Sequence, residues 1–356
     1  YNVPLYELFN EITDNMGNKL IPKDVIKLNS IQSKIFIENL FYNTNKIFTQ
    51  SQELINNITM ICIHSGLVSD TYYDIRNNTN VIQLLSNENN EVYINPDDES
   101  MYDFNGLVGC LEISSHVFMV KQNNKYVWTG NCCYSSDHEV MTFDGWKNIN
   151  EVTMQDKIAC LENDNEIIYR EPKEVMTYEY DSEIHGKMYE VNTNKVSLRV
   201  TPNHRMYVGD RQGNNYKMEL AEDIYGKRRK YKNNAEKYIL NQKHDMLKYN
   251  DYDEPIEFIF NYNDKQKTVD LNSWCIVFGI WIAEGIVYKN KNYESYTTTF
   301  STDKPRVKEI LNPLLIKMDF KYNNKTERQK AYDDNLWSMH DKFLGSYLKL
   351  NDMKNA

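Results

Sequence analysis

The sequence predicts a mixed architecture: a mostly helical segment over residues 1–90, an all-β unit over 91–215, and a mixed α/β segment over 216–356. Three observations carry this. Apolar residues recur at helical spacing before residue 90. Short β-branched or aromatic runs separated by polar turns fill 91 to about 210, and the two textures mix afterwards. At 356 residues the chain suits two or three packed domains rather than one small core.

Taken in order, Leu5, Leu8, Phe9 and Ile12 share one helix face, and Ile35, Phe36, Leu40 and Phe41 place an apolar stripe on a helix over 31–41. Gln52 to Ile63 is a third helix, stopping before Gly66. Strands are then predicted at Val92–Ile94, Leu107–Ile113, His116–Val120 and Tyr126–Trp128, with Gln122-Asn123-Asn124 as an intervening turn. The same texture continues through Glu139–Thr142, Lys157–Leu161, Lys187–Val191 and Val196–Val200. Later, Trp274–Gly285 is an apolar helix, Tyr293–Thr302 alternates as a strand, and Lys304–Met318 is a helix that Pro313 should kink or break.

No apolar run approaches the roughly 18 residues of a membrane span, and Trp274–Val287 contains Glu284, so no transmembrane helix and no membrane partner are expected. The first residue is Tyr and no signal-peptide pattern follows, which reads as a fragment, a processed product or a rearranged chain. The formal net charge of −10 counts against strong DNA binding. The one dense basic run, Lys227-Arg228-Arg229-Lys230-Tyr231-Lys232, is either a solvated loop or a phosphate contact. Heavy use of Asn, Tyr, Ile and Lys fits an AT-biased genome, a viral one among them.

Cysteines stand at positions 62, 110, 132, 133, 160 and 275. None forms C-x-x-C, which argues against structural zinc, and the spacing is too sparse for a disulfide framework, so a reduced, cytoplasmic setting is expected. The adjacent Cys132 and Cys133 read either as two buried thiols or as a reaction centre, since thiolates are the strongest side-chain nucleophiles.

Four motifs surround that pair. From Cys133 the chain reads Cys-Tyr-Ser-Ser-Asp137, then a strand, a turn and Gln155-Asp156. Val200-Thr201-Pro202-Asn203-His204 is a strand ending in Thr-x-x-His. Upstream lie Cys110-Leu-Glu-Ile-Ser-Ser-His116 and Val127-Trp-Thr-Gly130-Asn131-Cys132. In combination they resemble the splicing motifs of inteins, with Gln155 where Gly is usual and Gly130 where His is usual. Phe278-Gly-Ile-Trp-Ile-Ala-Glu284-Gly285 resembles the first signature helix of a LAGLIDADG homing endonuclease, the usual intein insertion. Ile37–Asn45 stands where the second belongs, with Thr44 and Asn45 replacing the acidic residue and Gly, and Phe48–Leu54 looks like the strand-into-helix segment after it.

The resemblance implies a horseshoe-shaped all-β Hint splicing domain, with residues 91–131 as its C-terminal part and 132–215 as its N-terminal part. It also implies an αββαββα-type endonuclease domain built from 216–356 and 1–90, the halves of the element thus running in reversed order, as after circular permutation or fusion of a split intein. It implies that Cys133 attacks the carbonyl of Cys132, with Thr201 holding the amide and His204 protonating its nitrogen. Asn131 then cyclises with His116 protonating the leaving amine, Gly130 letting the backbone bend closely, and Cys110 relays protons. No cofactor is needed for splicing; Glu284 would hold Mg2+ if the endonuclease were active, but Thr44 removes the second carboxylate and cleavage is expected to be lost. The partners implied are the flanking extein polypeptide in cis and double-stranded DNA, and a monomer is expected. Only Cys132 separates Asn131 from Cys133, and its thiol would reach its own carbonyl only through a four-membered ring, so cleavage rather than ligation is expected.

Plain alternatives stand beside these roles: a turn histidine for His204, a small buried hydrophobe for Cys110, a helix-end carboxylate for Glu284. Competing readings are an active site-specific homing endonuclease with a passive splicing domain, a hedgehog-like Hint domain, which would lack the terminal Asn-Cys, and a non-catalytic β protein.

Overall fold

Alternating apolar and polar positions, closed by turns rich in Asn and Asp, fold the middle of the chain into antiparallel strands. The computed structural model describes residues 21–42, 44–85, 92–210, 212, 215–239, 243–262, 265–289, 296–301, 305–320, 322–324 and 336–339. The architecture is mixed and strand-dominated, with a curled, half-barrel-like sheet and a few helices. Two compact units form: one from Cys62–Tyr73 and Ile82–Asn241, the other from the chain up to Ile61, Asp74–Val81 and the chain from Gln242 on.

In the first of these, a six-stranded antiparallel sheet has the order Glu174–Asp181, Asn105–Glu112, Cys132–Ser135, Ser197–Val200, Met188–Asn192, Glu99–Tyr102. A neighbouring sheet centres on the hairpin Val117–Gln122 and Lys125–Gly130. Asn123 (φ 51°) and Asn124 (φ 59°) close that hairpin in the left-handed region, the geometry two-residue hairpin turns favour and Asn tolerates. Strands continue beyond residue 215: Tyr216–Leu220, Arg205–Gly209, Arg229–Tyr231 and Val92–Ile94 pair in that order. One core joins the sheets, with Phe118, Val120, Val127, Tyr134, Ile158, Tyr189, Leu198 and Val200 all buried from water. Each such side chain stabilises the fold by roughly 1.5–3 kcal/mol.

In the other unit the helix Ser30–Leu40 starts where the Asn29 side chain accepts from the backbone N–H groups of Ile31 and Gln32. Asp270 caps the helix Leu271–Glu284 in the same way through Ser273. The two helices cross at Gly279, where a Cβ would lie 2.6 Å from the Phe36 carbonyl oxygen. Glycine is therefore what lets the backbones approach, and the Phe36 and Phe278 rings pack at a tilt beside the crossing with ring centroids 5.8 Å apart.

Most expected elements appear, with boundaries shifted by a residue or a few. The apolar helix begins at Leu271, because Asp270 rather than Trp274 supplies the cap. The helix Pro305–Lys317 runs through Pro313 without breaking, its buried Val307, Leu311 and Leu315 anchoring both sides of the proline. The helix expected at Leu5–Ile12 lies outside the described residues. Among the described residues no helix is long and apolar enough to cross a membrane.

Candidate functional site

The strand Cys132–Ser135 lies between Asn105–Glu112 and Ser197–Val200, so the sheet brings three of the four motifs side by side. Cys110 sits directly across from Cys133, and Leu111 from Cys132. The Thr201 N–H donates to the Cys133 carbonyl at 3.2 Å, tying the Thr-x-x-His turn to the cysteine strand.

Asn131 is the single residue between the hairpin strand ending at Gly130 and the cysteine strand. Its backbone N–H donates to the His116 carbonyl at 3.2 Å. Its side-chain Nδ2 lies 3.1 Å from His116 Nδ1 and donates to the Ile113 carbonyl at 3.1 Å, while Oδ1 accepts from the Ile113 N–H at 3.4 Å. His116 holds its place in a turn at φ 60°. The amide of Asn131 is thus fixed at both ends, with its nitrogen against an imidazole. His116 is expected at the leaving amine; in the structure its Nδ1 lies against the side-chain amide nitrogen of Asn131.

Gly130, where the resemblance expects His, has a spatial reason. A Cβ there would stand 2.1 Å from the Arg205 carbonyl oxygen, so the strand approaches a neighbouring backbone more closely than any side chain permits. The Tyr134 hydroxyl donates to the Gly130 carbonyl at 2.5 Å and holds the peptide before Asn131. Cys132 follows at φ 139°, a left-sided backbone that a non-glycine residue adopts only under strain.

His204 is fully buried; its Nε2 is 2.9 Å from the Thr129 hydroxyl and its ring meets the Tyr134 ring edge-on at 4.7 Å. Burial, with His138 nearby as a second charge, pushes its pKa down to about 3, so the ring is neutral at physiological pH. Among the described residues His204 Nδ1 and Thr201 Oγ1 have no hydrogen-bond partner although both are buried. Buried polar atoms without partners are costly, and the two stand on the turn bonded to the Cys133 carbonyl.

Cys110 and Cys133 form a disulfide, their Cα atoms 4.3 Å apart across the ladder. The spacing is too sparse for a disulfide framework, and the structure holds this one bridge where none was foreseen: strand register, not sequence spacing, decides which cysteines meet. In the bridged state Cys110 has no proton to relay and Cys133 no free thiol. Cys132 remains free, half-exposed, with its sulfur 3.9 Å from the Asn203 carbonyl oxygen.

Glu284 ends the helix Leu271–Glu284, apart from this centre and in the other unit. Thr44 offers a hydroxyl that donates to the Lys46 carbonyl at 2.9 Å, not a carboxylate. In the basic run, Arg229 pairs with Glu219 at 3.0 Å, Arg228 stacks on Tyr93 at 4.4 Å, and Lys232 bonds Asn165 at 2.9 Å.

Three site residues escaped the sequence reading. Thr129 lies on the hairpin strand, two positions before Asn131, inside the Val127–Cys132 motif that could have flagged it. Tyr134 and Tyr178 carry no local signal; the sheet brings Tyr178 to Cys133 from a distant strand.

No family model matches the chain, and no solved structure matches it. It is similar to a protein named ATP-dependent Clp protease proteolytic subunit from Chlamydomonas moewusii, 33% identical over 240 residues, covering 61% of this chain and 22% of that protein. It is also similar to one named DNA-directed RNA polymerase subunit beta C-terminal section from Stigeoclonium helveticum, 28% identical over 234 residues, 61% of this chain and 20% of that protein. The chain thus spans about a fifth of the length of the curated relatives it matches.

Proposed function

We propose that the chain is a self-processing element of the intein type, a horseshoe Hint splicing domain carrying a degenerate LAGLIDADG endonuclease, its halves in reversed order. The observation that carries this is Asn131: a buried asparagine whose amide nitrogen is set 3.1 Å from an imidazole, immediately before a strained cysteine. An asparagine held so is placed to attack its own carbonyl.

The steps follow from the site. Once an external thiol or phosphine has reduced the bridge, the Cys133 thiol gives up its proton and its sulfur attacks the Cys132 carbonyl; the C–S bond forms, the C–N bond breaks, and the proton lost by the thiol ends on the departing nitrogen. Thr201 and the neutral His204, whose buried Oγ1 and Nδ1 have no partner and whose turn is bonded to the Cys133 carbonyl, are the groups that serve that amide. Asn131 Nδ2, its proton passing to His116, closes on the Asn131 carbonyl, giving a succinimide and expelling the Cys132 amine. Ligation has no path, because the only residue between the two bonds would need a four-membered ring.

The similarities add support of another kind. A protease subunit and a polymerase subunit have unrelated work, and a shared stretch amounting to 22% of one and 20% of the other is what a passenger inserted into different hosts looks like. The crossing of Ser30–Leu40 and Leu271–Glu284 at Gly279 supports paired signature helices. With Thr44 at the second acidic position, the domain serves as scaffold and does not cut DNA.

Intact mass of the chain, reduced with a phosphine and treated with hydroxylamine, tests the reading beside Cys133→Ala and Asn131→Ala. Thioester-dependent scission between Cys132 and Cys133, absent in the first variant, is expected. In a portion kept free of hydroxylamine, which opens succinimides, a fragment ending at Asn131 is also expected, one water lighter than its free acid and absent in the second variant. A single unchanged mass in all three samples would refute self-processing.

A further inference from the structure

The edge strand Glu174–Asp181 lies two positions from the cysteine strand, with Asn105–Glu112 between them. Residues directly paired in an antiparallel sheet point to the same face. Cys133 pairs with Cys110, and Cys110 with Met176, so Tyr178, two residues along from Met176, shares that face and lies diagonally within reach. Its hydroxyl spans the intervening strand and donates to Cys133 Sγ at 3.1 Å. Val108, Tyr180 and Met188 pack into the same small cluster, with Phe104 and Cys133 against it, so the sulfur has an apolar floor and one polar neighbour. Tyr178 itself is 40% exposed and does not hold the core together.

We propose that Tyr178 is a catalytic residue of the acyl shift: its O–H donates to the Cys133 sulfur and stabilises the thiolate that attacks the Cys132 carbonyl. This rests on Cys133 being the nucleophile. A sulfur on an apolar floor resists ionisation, and a neutral donor at hydrogen-bond distance offsets that penalty more for S⁻ than for S–H. The phenol keeps its proton, since partial burial and the neighbouring Cys132 both raise its pKa. It therefore acts as a donor throughout the neutral range. The titratable groups brought to this row are Cys110 across the ladder, Cys132 on the same strand, and Tyr178 and Tyr180 on the edge strand, with His185 behind Tyr180, its ring centroid 5.0 Å away. The carboxylates Glu112 and Glu174, paired with each other one step further along the same face, are exposed to water, which screens their charge from the sulfur. The hydrogen bond runs to the sulfur of Cys133.

The experiment is the pH dependence of iodoacetamide alkylation at Cys133 in the phosphine-reduced full chain, read by peptide mass mapping, with hydroxylamine-induced scission at Cys132–Cys133 followed in parallel. Tyr178→Phe keeps the ring and removes the donor. Its Cys133 titration is expected to move up by about one pH unit, with alkylation and scission at neutral pH each about tenfold slower. Fluorotyrosine at position 178, a stronger donor, is expected to move the titration down. Unchanged titration in both variants overturns the proposal, as does a scission rate that Tyr178→Phe leaves intact. If the titration shifts as expected but no variant is ever cut, the hydrogen bond stands and the self-processing reading fails; if all are cut alike with one titration curve, self-processing stands and Tyr178 is a bystander.

Discussion

Gly130→Ala isolates the packing argument at the junction. The added methyl would lie 2.1 Å from the Arg205 carbonyl oxygen. Close carbon–oxygen contacts in sheets run at about 3.3 Å, so one backbone must retreat by roughly 1 Å. Both are strand backbones with buried neighbours: Trp128 and Thr129 precede Gly130, and Met206 follows Arg205. Overpacking costs about 1–3 kcal/mol, and an obstacle made of backbone rather than a yielding side chain puts this change at the upper end, about 3 kcal/mol. For a unit of this size that is a fall in Tm of roughly 6–12 °C, measurable by differential scanning calorimetry. The same displacement pulls Gly130 from the Tyr134 hydroxyl and moves Asn131 off His116, so scission at Asn131–Cys132 is expected to slow as well. Gly130→His, which installs the residue usual in inteins, is expected to fare worse than Ala. A Gly130→His chain of unchanged Tm that cyclises faster would refute the claim that backbone crowding excludes a side chain here.

His116→Ala is expected to slow succinimide formation by about 10²–10⁴-fold while leaving thioester formation at Cys133 untouched, which mass spectrometry with and without hydroxylamine separates. Without reductant the native chain is expected to give no scission at Cys132–Cys133, whereas Cys110→Ser, unable to form the bridge, gives it regardless; equal scission of the unreduced native chain would contradict a bridged nucleophile. His204 titrates at about 3 in the fold against 6.5 as its ordinary value, so between these the unfolded chain binds the extra proton. Its contribution is fully present above pH 6.5 and is lost as pH falls toward 3, by up to about 1.4 kcal/mol per pH unit; urea midpoints of His204→Gln should show a shallower fall over that window.

Much of this was legible in the sequence because it is periodic or local. The strand texture between Val92 and Val200, the helix over Ile31–Leu40 and the four motifs all rest on spacing a single stretch can display. What escaped depends on register. Cys110 and Cys133 meet only because Asn105–Glu112 pairs with Cys132–Ser135 in one alignment, and a one-residue slip would have turned them to opposite faces. Tyr178 comes from a strand that follows the cysteines in sequence but flanks them in space. Gly130 was legible as a departure, but its cause, the Arg205 carbonyl, belongs to another sheet. Pro313 shows the reverse case, a strong local signal overruled by burial on both sides.

The six-stranded sheet is woven from both sides of the junction. Asn105–Glu112 comes before Asn131, yet its two ladder partners, Cys132–Ser135 and Glu174–Asp181, come after it, the latter paired over the full run from Glu112↔Glu174 to Asn105↔Asp181. Severing the chain at Asn131–Cys132 therefore yields two polypeptides but not two particles. The halves remain interleaved, and under oxidising conditions the Cys110–Cys133 bond staples them besides. A nicked molecule elutes from a sizing column with the uncut one, and only denaturation together with reduction exposes the cut. By the same token, the two pieces made separately hold complementary shares of one sheet, each lacking strands the other supplies, so that mixing them is a folding reaction as much as a binding one.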